Sequence, residues 1–418
     1  MEDGGALRSD IDRLTARLAD LAAIGAIEGT EGCARLALTD EDRDGRDLVV
    51  TWMHDLGLEV TVDAIGNVIA VMPGHDAAAP VMMGSHIDTV RTGGRYDGNL
   101  GVLAGLEVIE TVIAAGVELV RPLAVAFFTD EEGDRFAPDM LGSLVYVGGM
   151  ALEEALEIEA IDGAVLGDEL TRIGYAGAAA VPGPAPHAFV ELHVEQGPVL
   201  EAEGTMVGAV TGVQGISWQE ITISGQSNHA GTTPTALRRD PGVVAGRAIA
   251  AARDLADEFG APQVATVGRV EFLPNLVNVV PATATFTLDL RHTDEAMLQE
   301  AERRMAEFID AAANEEGCTV ERTSLARFEP VVFDDEIVSL VERTASSLGH
   351  TVRRMPSGAG HDAQMLARVC PTAMVFTPSK DGLSHNPLEY TAPHELQAGA
   401  DVLLQTVLAL ATDGDSHE

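Results

Sequence analysis

Five short apolar runs, at residues 68–72, 81–83, 123–128, 189–194 and 373–376, are dominated by Val, Ile, Phe and Met, and polar residues stand at or just past the ends of most of them. Runs of this length and character suit strands buried on both faces of a parallel sheet. In an open α/β sheet the ligand crevice lies beyond the carboxyl ends of the strands, so residues distant in sequence converge there. His86, Glu131, Glu132 and His193 stand at such ends, and His385 follows the last run in the loop Ser379-Lys380-Asp381-Gly382-Leu383-Ser384-His385. Asp97 just precedes a predicted helix over residues 99–115, in which Leu100, Leu103, Ala104 and Val108 keep helical spacing.

His and carboxylate side chains at converging strand ends are the grammar of a metal site. Three imidazoles with two carboxylates, one of them shared, suit a pair of borderline divalent ions such as Zn or Mn, with Co or Ni as further candidates. A carboxylate is the side chain best able to satisfy two metals at once, which assigns Asp97 as the bridge. Glu131 and Glu132 are adjacent, and on an extended chain they project in different directions, one toward metal and one toward water. Such an ion pair lowers the pKa of the water it holds to about 7 and polarises a carbonyl. A free carboxylate beside it can take the proton and return it to a leaving nitrogen, which describes hydrolysis of an amide or urea.

Any one of these histidines alone is more often a surface or core residue than a ligand. Their joint occurrence carries the inference. His54, His187, His350, His394 and His417 lack such a context, and His361-Asp362 repeats the pairing inside a Gly-rich loop.

At this point the motifs form a set. Gly84-Ser85-His86-Ile87-Asp88-Thr89, Gly93-Gly94-Arg95-Tyr96-Asp97-Gly98, Glu131-Glu132-Gly133, Glu191-Leu192-His193-Val194-Glu195-Gln196-Gly197 and Ser357-Gly358-Ala359-Gly360-His361-Asp362-Ala363 resemble the hydantoinase/carbamoylase branch of the M20 metallopeptidase-like amidohydrolases. That branch includes N-carbamoyl-L-amino-acid hydrolases, beta-ureidopropionases and allantoate amidohydrolases. The resemblance covers nearly the whole chain. It implies one metal held by His86, Asp97 and His193 and a second by Asp97, Glu132 and His385, two divalent ions per subunit. It makes Glu131 the general base and then acid, and it places Asp88 behind the His86 imidazole, where a carboxylate fixes the tautomer. Gln196 joins the substrate contacts, and the Gly-rich loop presents backbone at Gly360 rather than His361 as a ligand.

Between residues 212 and 327 the pattern reads strand 217–224, helix 241–259, strand 263–272, strand 283–290, helix 294–313 and strand 319–328. This β-α-β-β-α-β order predicts a two-layer α+β domain inserted into a larger α/β catalytic domain formed by residues 1–211 and 328–418. By resemblance the insertion is a lid and dimerisation domain, so that a homodimer is expected. Gly225-Gln226-Ser227-Asn228-His229, Asn275-Leu276-Val277-Asn278 and Asp289-Leu290-Arg291 match family segments within it. They imply that His229 donates to a developing oxyanion, Asn278 orients the substrate and Arg291 holds its carboxylate through a planar two-point contact.

The expected activity is cleavage of the carbamoyl C–N bond of N-carbamoyl-L-amino acids, which releases the amino acid, ammonia and carbon dioxide. Allantoate and N-carbamoyl-β-alanine carry the same ureido and carboxylate handles at other separations. A dipeptidase or deacylase would use the same metals without that lid set, and a non-catalytic binding protein would have lost ligands or the base.

Sixty-six acidic residues face twenty-six basic ones, giving a net charge of -40. Single-sign charge of this size repels nucleic acid and anionic membrane, so neither is expected as a partner. No apolar stretch has the length of a membrane span, the opening Met1-Glu2-Asp3-Gly4-Gly5 is not signal-like, and Leu7, Ile11, Leu14, Leu18 and Leu21 space an ordinary amphipathic first helix. Cys33, Cys318 and Cys370 form no CxxC pair, which reads as a reducing cytoplasm. The acidic end, Thr412 to Glu418, is expected to fray. Lys380 is the sole lysine, a composition open to salt adaptation or to the bias of a high-GC genome. The two differ in their response to screening: a melting temperature that rises between low and molar KCl marks salt adaptation, and one that does not rise excludes it.

Overall fold

The computed structural model describes residues 6–73 and 78–412; the opening five residues and the acidic end after Thr412 lie outside the described residues. The chain divides into one compact unit that runs to Thr211 and resumes at Val332, and a second from Gly212 to Val331.

Strands are numbered along the chain. β1 (Glu59–Val62), β2 (Val68–Met72), β3 (Val81–His86), β4 (Leu123–Phe128), β5 (Ala188–Val194) and β6 (Val207–Val213) precede or enter the second unit, and β14 (Val331–Val332), β15 (Val352–Ser357) and β16 (Thr372–Thr377) follow it. Among the described residues they form one sheet of nine strands, ordered β1-β2-β4-β3-β5-β16-β6-β14 with β15 beside β6. β4, β3, β5 and β16 run parallel and are buried from end to end. Apolar side chains on both faces are what such a position demands. β2 departs from the sequence expectation: it is antiparallel to both β1 and β4, and only partly buried. Its short connection to β1 accounts for the first of these pairings, since a tight turn returns the chain antiparallel. In that turn the Asp63 carboxylate accepts from the amides of Ile65 and Asn67 at 3.1 and 2.8 Å.

The helix Asn99–Ala115 is buried along most of its length. Two glycines let it lie directly on the sheet. A Cβ at Gly101 would come 2.7 Å from the Leu192 carbonyl oxygen, and one at Gly105 2.7 Å from Val125 Cγ2. The helix Pro393–Thr412 packs on β16, β5 and this same helix. The first helix begins at Ile11 rather than Leu7. Asp10 caps it by accepting from the amides of Asp12 and Arg13, both at 3.1 Å, a stabilising use of an acid at a helix start. Leu7 lies before the cap, where its carbonyl accepts from Gln405 Nε2.

The second unit contains β7 (Gly215–Ser224), β8 (Asn228–His229), β9 (Val264–Thr266), β10 (Val270–Leu273), β11 (Val279–Val280), β12 (Thr283–His292) and β13 (Thr319–Phe328). Its main sheet runs β10-β12-β7-β13 with β9 also on β12, and β8 pairs with β11 separately. The helices Pro241–Phe259 and Glu295–Glu315 pack against this sheet and each other around Ile221, Ile223, Phe286, Leu288 and Leu290. The single strand expected over 263–272 is in fact two. Thr266 lies opposite Asp289 but Val270 opposite Phe286, a one-residue slip that makes a bulge at Val267-Gly268-Arg269. The unit closes at Val331, past the Arg327 read from the sequence.

One buried ion pair fixes the approach of β4 to the site. Arg46 Nε meets Asp42 Oδ2 at 2.8 Å with both side chains fully buried, and the guanidinium also donates to the Gly66 carbonyl and to Thr129 Oγ1 just past β4. Removing one partner leaves an uncompensated buried charge, so Asp42→Ala is expected to lower stability by about 3–5 kcal/mol. Denaturant unfolding measures this; a loss under about 1 kcal/mol would mean that water reaches Arg46.

Candidate metal centre

Asp97 stands where the strand ends converge, and its two oxygens face different partners. Oδ1 lies 3.2 Å from His193 Nε2 and 3.7 Å from His86 Nε2. Oδ2 lies 3.6 Å from His385 Nε2, which is in turn 3.1 Å from Glu132 Oε2. Two triads, His86–Asp97–His193 and Asp97–Glu132–His385, therefore overlap at one carboxylate. Ligand atoms about 2.0–2.2 Å from one tetrahedral ion sit about 3.3–3.6 Å from each other. The observed separations fit that requirement.

The backbone fixes which ring nitrogen is free. His86 Nδ1 is 3.0 Å from the Asp88 carbonyl oxygen and His193 Nδ1 2.8 Å from that of Val194. A carbonyl can only accept, so each Nδ1 carries a proton and Nε2 is the ring nitrogen left to meet a metal beside Asp97. Gly98 supports the arrangement: its amide donates to His193 Nε2 at 3.1 Å, and a Cβ there would lie 2.3–2.5 Å from the His86 ring. Its φ of 66° also belongs to the region that glycine favours.

Charge points the same way. Burial alone would raise Asp97, but the hydrogen bond to His193 and the charges of the three imidazoles hold its carboxyl well below the usual range. Burial favours neutral His193, yet its hydrogen bond to Asp97 and the Asp97 charge outweigh that and push it up to about 9. Burial brings His86 down to about 4. Hydrogen bonding to Glu132 takes His385 up to about 9. Burial, followed by the neighbouring Asp362, Glu132, Asp88 and Asp97, raises Glu131 well above the carboxylate range, and burial with Asp42 and Glu132 lifts Asp88 to about 7. So many carboxyls resisting ionisation in one buried place are a site short of positive charge, which divalent cations would supply.

Glu131 and Glu132 do diverge, but not through an extended strand. Asp130 takes a left-handed φ of 56° and the two glutamates follow in a bend. Glu131 Oε2 lies 3.3 Å from His86 Nε2 and belongs to neither triad of the shared aspartate. The Asp88 carboxylate accepts from the amides of Glu131 and Glu132 at 3.3 and 3.2 Å and stands 3.8 Å from the His86 ring, so it braces this bend while its carbonyl orients the imidazole. Gln196 donates to Asp97 Oδ2 at 2.8 Å, and its Oε1 is buried without a partner among the described residues. Gly360 lies in the loop before His361. His361 itself packs edge-on against His193 at 4.5 Å between ring centroids and bonds Ser357 Oγ. A third grouping, Glu191–His193–His361, is already committed elsewhere, because Glu191 accepts from Ser85 Oγ and the Ala363 amide.

In the second unit His229 and Asn278 are neighbours. β8 pairs His229 with Val279, and the Ala230 amide donates to the Asn278 carbonyl. His229 is exposed, and its Nδ1 accepts from the amides of Gly231 and Thr232 at 3.0 and 3.2 Å. Nε2 therefore carries the proton and is a donor. Arg291 is elsewhere in that unit, eight residues along β12 from Thr283, about 26 Å at the rise of a strand. Its guanidinium bonds Asp289 and lies over Trp218.

Sequence reasoning passed over Glu191, Ser384 and Glu389. Glu191 had a signal, two residues before His193 and so on the same side of its strand. Ser384 and Glu389 flank His385 in sequence, but the groups they meet, the Asp97 carboxylate and the amides of Tyr96 and Asp97, lie in a distant loop.

Two overlapping His-carboxylate triads at the carboxyl ends of a largely parallel sheet define the class: a metal-dependent hydrolase. Comparison with known proteins narrows it. The pattern of peptidase family M20/M25/M40 matches residues 82–409. The chain is 41% identical over 412 residues, 97% of each chain, to an N-carbamoyl-L-amino-acid amidohydrolase of Rhizobium meliloti. It is 34% identical to the allantoate amidohydrolase of Bacillus subtilis, over 91% of this chain and 93% of that one. Among solved structures, an amidase of the hydantoinase/carbamoylase family from Burkholderia multivorans superposes with a TM-score of 0.95 at 43% identity, covering 97% of this chain and 99% of that one. The chain belongs to the M20/M25/M40 family and is a metal-dependent hydrolase of C–N bonds.

Because any side chain at position 98 must displace the His86 ring, Gly98→Ala is expected to leave a folded protein that binds zinc at least about tenfold more weakly. Elemental analysis after equilibration with limiting zinc reads this directly, and metal content equal to wild type would sink the assignment of His86.

Proposed function

We propose that the chain hydrolyses the carbamoyl C–N bond of N-carbamoyl-L-amino acids. The observation that carries this reading is the shared Asp97 with Glu131 beside it, close to His86 and outside both triads. The Rhizobium relative supplies the substrate class. We assign one divalent ion, Zn or Mn, to His86, Asp97 and His193 and another to Asp97, Glu132 and His385. When bound, the ions would activate water and polarise the ureido carbonyl. Glu131 takes the proton of the attacking water and later delivers it to the leaving amine nitrogen. The C–N bond breaks, the amino acid leaves, and the carbamate left behind decomposes to ammonia and carbon dioxide.

The remaining roles follow from the chemistry of each group. His229 donates its Nε2 proton to the oxyanion, a role suited to the tautomer its backbone enforces. Asn278 orients the substrate, Arg291 takes the α-carboxylate, and Gln196 with the Gly360 backbone completes the contacts; because Arg291 lies a strand's length from His229 and Asn278, that pair serves the site of the other subunit in a homodimer. Arg291 must exchange Asp289 for the substrate. We further propose a homodimer formed through residues 212–331; sedimentation at the monomer mass would remove that part. Three buried free cysteines support a reducing, cytoplasmic setting. The Bacillus relative favours allantoate as the second reading.

Ammonia release from metal-loaded enzyme tests the proposal on N-carbamoyl-L-methionine, its D-enantiomer, N-carbamoyl-β-alanine, allantoate and N-acetyl-L-methionine. The L-carbamoyl compound is expected to turn over best, and Glu131→Gln to lose about 10²–10⁴-fold in kcat while keeping its metals. A higher kcat/KM for allantoate would replace the first reading with the second, and acetate release alone would move the enzyme to the deacylases.

A further inference from the structure

Glu389 lies four residues beyond His385, and its side chain is buried rather than exposed to solvent. It turns to the loop that carries Asp97. Oε1 accepts from the amides of Tyr96 and Asp97 at 2.9 and 3.1 Å. Oε2 meets Ser384 Oγ at 3.4 Å, and that hydroxyl donates to Asp97 Oδ2 at 2.7 Å. The fit is close: a Cβ at Gly94 would sit 2.3 Å from Glu389 Oε1. The two loops also touch through Thr92 Oγ1, which donates to the His385 carbonyl at 3.2 Å, and through the edge-on rings of Tyr96 and Tyr390.

We propose that Glu389 is a positioning residue that locks the Asp97 loop to the His385 loop, so that the shared carboxylate presents one oxygen to each histidine set. This rests on the reading of Asp97 as a ligand common to two ions. Without the lock the His86–Asp97–His193 set remains, because His86 and His193 are held by strand ends and by the carbonyls of Asp88 and Val194. The Asp97–Glu132–His385 set does not, because His385 sits on an exposed loop at a left-handed φ of 52° and depends on its neighbours for its place. The lock therefore acts on one of two metal sites.

A merely structural carboxylate would act on both sites and on the fold.

Glu389→Ala and Glu389→Gln are titrated with zinc against a chromophoric chelator, and their metal-free melting temperatures are measured alongside. The alanine variant is expected to bind one zinc as wild type does and the second about 10–100-fold more weakly, with the glutamine variant between. Excess zinc then restores kcat. If the alanine variant does not fold, Ser384→Ala carries the test, with a smaller loss confined to the same second zinc. Wild-type protein that binds fewer than two ions would overturn the shared-ligand reading and this inference with it. Two ions of unchanged affinity in the variants, or equal weakening of both with a lower metal-free melting temperature, would overturn this inference alone.

Discussion

The burial of several carboxylates around Asp97, with their mutual repulsion second, is the constraint on which the rest of this site depends. Asp88, Glu131, Glu132 and Glu389 are all held above their usual range, and burial is the first cause in each case. Three imidazoles offset part of that charge, and two overlapping ligand sets offer places for the remainder to be met by cations. A fold that gathers so much negative charge out of water is stable only if those places are used or protons take the room instead.

The scaffold makes this tolerable by rigidity. Parallel strands buried on both faces deliver His86, His193 and the Glu131 bend to one end of the sheet, and the helix after Asp97 is drawn onto the strands through Gly101 and Gly105. Backbone groups do much of the aiming. Two carbonyls choose the imidazole tautomers, and the Asp88 carboxylate grips the two amides of the Glu131-Glu132 bend. In the second unit a pair of amides sets the tautomer of His229 in the same manner.

Much of the fold was legible because burial writes itself into composition. The runs at 123–128 and 68–72 coincide with strands, and the helix over 99–115 is found at those bounds. The misreadings share a cause. Residues 68–72 look like a parallel strand because apolar content reports burial and not direction, and the partner that decides direction lies fifty residues away in β4. The slip at Val267-Gly268-Arg269 arises from pairing with β12, which no local pattern in 263–272 reveals. Leu7 fits the helical spacing, but Asp10 caps the chain after it.

The sequence by itself determined the donor set, its order along the chain and the α/β class, because each depends on residue type and short-range periodicity. It also made Asp97 the natural candidate for a bridge, since a carboxylate has two oxygens to share. Only the tertiary structure decided that those oxygens face different histidines, that Glu131 stands outside both sets, and that Arg291 lies far along β12 from His229. It alone brought Glu389 to the amides of Tyr96 and Asp97. Those facts depend on contacts between segments up to three hundred residues apart, where the geometry is fixed by packing and by which backbone groups are left to be satisfied.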